Sequence, residues 1–262
     1  MQHSSFHSDA STNTAPPQSL IAFHLLGTVD FDACLALQTR LVYEASGRDD
    51  DRTVVLLVEH PPLITIGRSG SRGHVRLTES QLRRQQLTTR WVSRGGGCVL
   101  HQPGQLAVYP IVPLERRGWL VGEYLTRFKT GLVNALSQLN IRGTAPADSP
   151  GIHGRSGVLA SVGIGVRNWV GFHGAWLNVN PPQQFLRQID AIPPENAAPG
   201  LKTTLGSLLA ERQEPVTMSQ VRAALIEQLA LAFDCPRQHV HSGHPLYSPP
   251  LRDTRERAAR RA

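Results

Sequence analysis

The sequence predicts an α+β domain built on a mixed β-sheet with flanking helices, and three observations carry that prediction. Apolar runs of strand length recur along the chain, residues 53–58 (TVVLLV) being the plainest. Between them lie stretches of helical spacing, such as Tyr124, Leu125, Phe128, Leu132, Leu136 and Leu139. Strands and helices follow one another without a regular βαβ rhythm, so a doubly wound parallel sheet fits less well.

Taken in order, residues 20–29 read as a strand. Asp30 suits the N-cap of a helix running to about Ala45, because Phe31, Cys34, Leu35, Leu41 and Val42 then share one side. The strand at 53–58 is followed by the turn His60-Pro61-Pro62 and a short strand into Thr65. Thr78, with Glu79 and Gln81 behind it, opens a short polar helix, and residues 88–93 are strand-like. A glycine-rich loop at 94–105 leads into an apolar strand at 106–112 and an amphipathic helix at 121–139. Residues 158–166 and 171–179 read as paired strands, and Val221, Leu225, Leu229 and Phe233 mark a last helix. The expected organisation is one domain at 20–236, between a disordered segment at 1–19 and a basic disordered tail at 237–262.

The formal net charge of +7 raises the question of a nucleic-acid partner, and its distribution answers it. Residues 237–262 hold six arginines against Asp253 and Glu256, which is +4 of the +7. A nearly neutral body with a basic, Pro-containing end describes a solvated tail or an arm for an acidic protein, not a nucleic-acid surface. No run approaches the ~20 apolar residues of a membrane span. The first residues lack the apolar stretch of a secretory signal. Three irregularly spaced cysteines, Cys34, Cys98 and Cys235, give no disulfide framework and fit a reducing, cytoplasmic setting.

Two segments can carry chemistry. In Arg94-Gly95-Gly96-Gly97-Cys98-Val99-Leu100-His101 the glycines allow close backbone approach to a ligand. There Arg94 can anchor a carboxylate or phosphate, and His101 can serve in acid–base work. The pattern of a nucleotide phosphate loop is absent. Cys98 is either a nucleophile, if Arg94 or His101 lowers its pKa, or a small buried hydrophobe. The second segment is Phe172-His173-Gly174-Ala175-Trp176-Leu177-Asn178. Strand alternation would place His173, Ala175 and Leu177 on one face and Trp176 and Asn178 on the other. His173 and Asn178 are then either pocket residues or a hydrogen-bonded core pair beside a bulge glycine. Cys34 and Cys235 read as structural.

These segments resemble the lipoate-pathway octanoyltransferases. RGGGCVLHQPGQLAVYPI is similar to the family's R-G-G-x-x-x-x-H-G-P-G-Q-L-x-x-Y-P-I signature. Glu59, His60, Pro61, Thr65, Gly67 and Arg68 match an upstream block, and Ala160, Ser161, Gly163, His173, Gly174, Leu177, Asn178 and Val179 match a downstream pair of blocks at the same spacing. The resemblance implies the catalytic fold shared by biotin and lipoate protein ligases. It also implies transfer of an octanoyl group from octanoyl-acyl carrier protein to a lysine of lipoyl domains. Acceptors would be the lipoyl domains of 2-oxoacid dehydrogenases and the glycine cleavage H protein, with no cofactor, metal, nucleic acid or membrane. Carried over by position, Arg94, Gly95, Gly96, Gly97, Cys98, Val99, Leu100 and His101 bind substrate. Ser161, Val162, Gly163, Gly174, Ala175 and Trp176 complete the site, with His173 and Asn178 in support. The family acts through a cysteine that an adjacent lysine activates. Here Val158 stands at the lysine position, and Ala191 or Ile192 at the cysteine position. Lesser departures are Gly97, Leu100, Gln102 and Trp176. Three readings follow: an acyltransferase with a rearranged mechanism, for which Cys98 is a substitute nucleophile; a catalytically inactive acyl- or lipoyl-domain-binding homologue; or a ligase-like relative that activates the acid with a nucleotide, the weakest because such enzymes rely on a lysine where Val158 stands.

Overall fold

A computed structural model describes residues 19–182, 184, 186–190, 192, 200–212 and 214–247. Strand β1 (Leu20–Thr28) leads to helix α1 (Phe31–Ser46) and strand β2 (Thr53–Glu59), which runs parallel to β1. The Asp30 carboxylate accepts from the Ala33 amide and caps α1, as the sequence predicts. Then come β3 (Leu63–Ile66), α2 (Glu79–Arg84), β4 (Thr89–Trp91), β5 (Cys98–His101) and β6 (Gln105–Pro113). Thr78 and Gln81 form a reciprocal capping box at the start of α2. Helix α3 (Val121–Gln138), strands β7 (Gly151–His153), β8 (Val158–Arg167) and β9 (Val170–Asn178), helices α4 (Leu208–Arg212) and α5 (Met218–Ala232) and strand β10 (Arg237–Ser242) complete the described chain.

The large sheet has seven strands in the order β10-β1-β2-β6-β9-β8-β7, and β4, β3 and β5 form a separate three-stranded sheet. Parallel pairs (β10–β1, β1–β2) stand beside antiparallel ones (β2–β6, β6–β9, β8–β9, β7–β8), so the sheet is mixed as expected. Alternation in β2 shows how the sequence builds two cores at once. Val55 and Leu57 join the core that includes Phe128 and Leu132 of α3 and Leu225 and Leu229 of α5. Val54, Leu56 and Val58 join the core of α1, with Cys34 and Leu41. The small sheet packs Ile64, Ile66, Cys98 and Leu100 against Leu82 of α2.

Two expectations are corrected. The glycine-rich loop at 94–105 is interrupted by β5, whose four residues pair antiparallel with β3. The basic tail does not begin at residue 237, because Arg237–Ser242 pairs in register with β1 from Leu20 to Leu25. All six β10 residues are exposed, so no apolar alternation betrays the strand. It forms because the edge of β1 offers unpaired amides and carbonyls to any extended neighbour. Residues 1–18 and 248–262, with most of both terminal segments, lie outside the described residues.

Candidate functional site

The glycine segment is fastened by main-chain bonds to the turn after β3. Gly67 N–H donates to the Gly97 carbonyl (3.1 Å), Arg68 to Arg94 (3.0 Å) and Ser69 to Gly96 (3.1 Å), while Gly95 N–H donates to Ile164 in β8 (2.8 Å). Such contact demands glycine on both sides. A Cβ on Gly67 would sit 2.5 Å from the Gly96 carbonyl oxygen, and one on Gly163 would sit 2.3 Å from that of Gly95. The upstream block, the glycine loop and β8, far apart in sequence, therefore form one wall.

That wall bounds a cavity of about 410 Å³. Gly95, Gly96, Gly97, Val162, Gly163 and Ile164 face it from one side, and Val121, Leu125 and Lys129 of α3 from the other. Residues 147–150 close one end, and the exposed Arg68 and Ser69 stand at the rim. Of the sequence-derived substrate residues, the cavity takes the three loop glycines, Val162 and Gly163.

The remaining sequence-derived residues lie behind the wall. Arg94 is corrected from an anion anchor to a structural brace, since it is 1 % exposed. Its guanidinium donates to the Gly95 and Gly97 carbonyls (3.0 Å each) and to Thr65 through its carbonyl (3.1 Å) and hydroxyl (2.8 Å), and it stacks on Trp176 at 4.6 Å. Burial lowers its pKa to about 10. It remains charged at neutral pH, and its hydrogen bonds shape the loop that a substrate would meet.

His101 is likewise not placed for acid–base work. It is buried against the Thr65 hydroxyl (2.9 Å), and burial first, then His60 and Arg94, push its pKa well below the usual value. His60 binds the Val29 carbonyl (2.7 Å) and the Tyr109 hydroxyl (2.9 Å), which also accepts from Trp176 Nε1 (3.0 Å). Thus Trp176, with Ala175 beside it, is core. Val99 and Leu100 are buried in β5. Gly174 is required by the sheet: a Cβ there would lie 2.0 Å from the Val108 carbonyl oxygen. Ser161, paired with Trp176 and Gly151, is half-buried in β8.

Cys98 is corrected as a substitute nucleophile. Its thiol is buried in the small-sheet core and faces the Ser71 carbonyl at 3.6 Å. Burial raises its pKa to about 11, and the nearby Arg94 charge only partly offsets this. Cys34 and Cys235 are also buried free thiols, as expected for structural cysteines. His173 departs from strand alternation because its φ is +57°. Its amide donates to Gln38 of α1 (3.0 Å), and its ring stacks on that of neighbouring Phe172 (4.6 Å). Asn178 accepts from Gln105 (3.0 Å) and donates to the Val158 carbonyl (3.2 Å), fixing the start of β8.

Sequence reasoning missed three polar residues: Lys129 and Ser149, which line the cavity, and His153 behind Ser149. Lys129 Nζ donates to the main-chain carbonyls of Ser149 (2.7 Å) and Pro146 (3.0 Å). Ser149 Oγ lies 2.7 Å from His153 Nε2 and accepts from the Gly151 amide at 3.1 Å. A signal for Lys129 existed: it occupies the apolar stripe of Leu125, Leu132 and Leu136 at spacings of four, three and seven, where a lone cation needs partners. Ser149 and His153 lie in a Pro- and Gly-rich stretch whose tertiary position no periodicity discloses. Among the described residues no group of three or more His, Cys, Asp or Glu side chains is arranged to hold a metal ion.

Comparison with known proteins gives this geometry its context. The profile of the lipoyl protein ligase A/B catalytic domain matches residues 30–230. An octanoyltransferase of Geobacter metallireducens is 33 % identical over 214 residues, covering 80 % of this chain and 92 % of that protein. The chain belongs to the octanoyltransferase family. Another family member, from Pseudomonas syringae pv. syringae, is 30 % identical over 223 residues, 85 % of this chain and 95 % of that one. The octanoyltransferase of Geotalea uraniireducens is 37 % identical over 154 residues, 59 % of this chain and 68 % of that one. Among solved structures, lipoate-protein ligase A bound with ATP superposes with a TM-score of 0.63 at 14 % identity, covering 92 % of both chains. A putative lipoate protein ligase from T. acidophilum with bound lipoic acid gives 0.63 and 14 %, covering 92 % and 93 %. At that identity the likeness concerns the fold, and it agrees with the mixed sheet and flanking helices the family implies. Among the described residues no helix is long and apolar enough to cross a membrane.

Proposed function

We propose that this protein transfers an octanoyl group from octanoyl-acyl carrier protein to the lysine amine of a lipoyl domain. The observation that carries this reading is the cavity beneath the glycine loop, found in a chain similar to octanoyltransferases over most of its length. Its volume falls within the ~300–1,000 Å³ of small-ligand pockets. Glycines leave its wall bare, so main-chain groups can approach a bound acyl carbonyl, and amides in such a loop suit a developing oxyanion. Val121, Leu125, Val162 and Ile164 supply the apolar contact a medium acyl chain needs.

The second reading, an inactive acyl- or lipoyl-domain-binding homologue, has an observation of its own. Val158 and Ile192 are both buried, and both abut Gly151: a Cβ there would meet Ile192 Cδ1 at 3.1 Å and Val158 Cγ1 at 3.2 Å. With Ile192 at the cysteine position, the two departing positions adjoin and both are aliphatic; Ala191, the other candidate for that position, lies outside the described residues. One experiment separates the readings. The protein is incubated with octanoyl-acyl carrier protein and a purified lipoyl domain, and the lipoyl domain is weighed by intact-mass spectrometry. Octanoyl transfer predicts one amide-linked octanoyl group per domain, dependent on the protein. A domain left unmodified while the protein still binds the acyl carrier would establish the inactive homologue.

A further inference from the structure

Ser149 lines the cavity and is backed by the imidazole of His153, a hydroxyl–imidazole pair that the family motifs do not account for. Ser149 and His153 straddle Gly151, and the chain reverses so that Oγ and Nε2 meet at 2.7 Å. The Gly151 amide donates to Oγ, and with the ring proton on Nδ1 the Ser149 hydroxyl donates to His153 Nε2. Both side chains are buried, and Ser149 also lines the cavity. Lys129 brings a cation to the main chain of the same serine at 2.7 Å. Burial holds His153 below its usual pKa, with the Lys202 main chain and Asp148 opposing that shift and Lys129 reinforcing it, so the ring is a free base at neutral pH.

The position of the pair matters as much as its geometry. A Cβ on Gly151 would lie 3.3 Å from His153 Nε2, beside the Ile192 and Val158 contacts described above. The pair therefore stands where Val158 and Ile192 converge on Gly151. We propose that Ser149 is the acyl-carrying nucleophile of this protein and His153 its general base, an assignment that rests on the octanoyl-transfer reading.

The chemistry balances without any further reactant. Ser149 Oγ attacks the thioester carbonyl while its proton passes to His153 Nε2. The carbon–sulfur bond breaks, and the departing carrier thiolate takes that proton, leaving an octanoyl oxygen ester on Ser149. The neutral lysine amine of the acceptor then attacks the ester carbon and gives a proton to His153. The carbon–oxygen bond breaks, and the proton returns to Ser149 Oγ. The sum is thioester plus amine giving amide plus thiol.

The test uses the full chain with octanoyl-acyl carrier protein, first without acceptor. The expected product is an octanoyl adduct on the Ser149 peptide that survives neutral hydroxylamine and is released by alkali. Ser149→Ala should abolish the adduct and lower transfer by roughly 10³-fold. Ser149→Cys should carry a hydroxylamine-labile adduct at the same position, and it serves as the informative variant if the alanine form is unstable. His153→Gln should lower transfer by about 10²-fold or more and flatten the acid side of the pH–rate profile. Transfer at an undiminished rate in folded Ser149→Ala overturns this assignment and leaves octanoyl transfer standing. So does an adduct on a cysteine, or transfer with no adduct when the acceptor is withheld. A natural chain that neither forms an adduct nor modifies a lipoyl domain overturns the octanoyl-transfer reading and this assignment with it.

Discussion

Replacing Gly163 by alanine tests whether the β8–glycine-loop contact shapes the working cavity. The added Cβ would stand 2.3 Å from the Gly95 carbonyl oxygen and 3.1 Å from its carbon, where ordinary contact begins at 3.4 Å. The loop must therefore retreat by roughly 1 Å, and overpacking of that kind costs about 1–3 kcal/mol. Retreat also strains the 2.8 Å bond from Gly95 to Ile164 that holds the loop on β8. A shift of about 1 Å in groups that position a reacting carbonyl lowers turnover by roughly 10²-fold. Octanoyl transfer and thermal midpoint should be measured together, with Gly122→Ala as the comparison. Gly122 has nothing within 4 Å of its would-be Cβ and lies in the first turn of α3, so alanine there should leave both quantities unchanged or raise the midpoint slightly. Gly163→Ala with natural turnover and natural stability would show that the contact does not define the site.

Acid should unfold the protein early. Burial chiefly holds the His60 pKa near 4, with the Val29 carbonyl and Asp30 pulling upward, and burial with Arg94, Arg68 and Arg167 holds that of His173 near 3. The unfolded chain protonates these rings from about pH 6.5 downward, so their stabilisation is complete above that pH and declines as pH falls toward the folded values. By pH 4.5 each has given up about 2.5 kcal/mol, and a thermal midpoint that stays flat from pH 7.5 to 4.5 would contradict their burial as neutral rings. Cys98→Ser should leave transfer within about threefold, because its thiol is turned away from the cavity; loss of activity in a folded variant would return Cys98 to the mechanism. Ending the chain after Tyr247, which keeps β10, should preserve the fold while weakening acyl-carrier binding at low salt through loss of Arg252, Arg255, Arg257, Arg260 and Arg261. Equal binding by both forms at ~20 mM and ~200 mM salt would deny the tail that role. Val158→Lys combined with Ile192→Cys or with Ala191→Cys should yield a thioester adduct, and failure of both folded double variants to take up a hydroxylamine-labile octanoyl group would break the positional correspondence with the family.

Most of the scaffold was legible because its elements carry local signals. Asp30 and Thr78 cap the helices they were expected to cap, and β2, β6, β8 and β9 follow apolar runs. What failed was local reasoning applied to tertiary facts. The arginine of Arg94-Gly-Gly-Gly looks like a ligand group until its five donors are traced, four of whose bonds stay within the protein's own main chain and Thr65. His173 breaks alternation through a positive φ, which a histidine adopts more readily than most residues but which no sequence pattern places here. β10 has no apolar face to detect. Ser149 and His153 acquire meaning only once β7 is laid against β8, since four residues of separation show neither that the chain turns back nor that a cavity opens there.

The aliphatic pair at Val158 and Ile192 and the polar pair at Ser149 and His153 are better understood together than apart. A thiolate beside an ammonium is a charged ground state, and it survives burial only while both members are present; removing one leaves an unpaired charge at a cost of several kcal/mol. Aliphatic side chains in their place give apolar surroundings, as Val158 and Ile192 do where they pack about Gly151. Such surroundings oppose any nucleophile that must be ionised at rest, which is what keeps the Cys98 thiol protonated in its own core. A serine hydrogen-bonded to a neutral imidazole carries no charge until the substrate carbonyl is attacked, so the same desolvation that excludes a thiolate is tolerated by this pair. The charge that then develops on the acyl oxygen lies beside the glycine-loop main chain, with the Lys129 ammonium fixed on the Ser149 carbonyl. On the proposed reading, the aliphatic residues Val158 and Ile192 and the pair Ser149 with His153 belong to one mechanism, in which proton transfer during the reaction takes the place of ionisation before it.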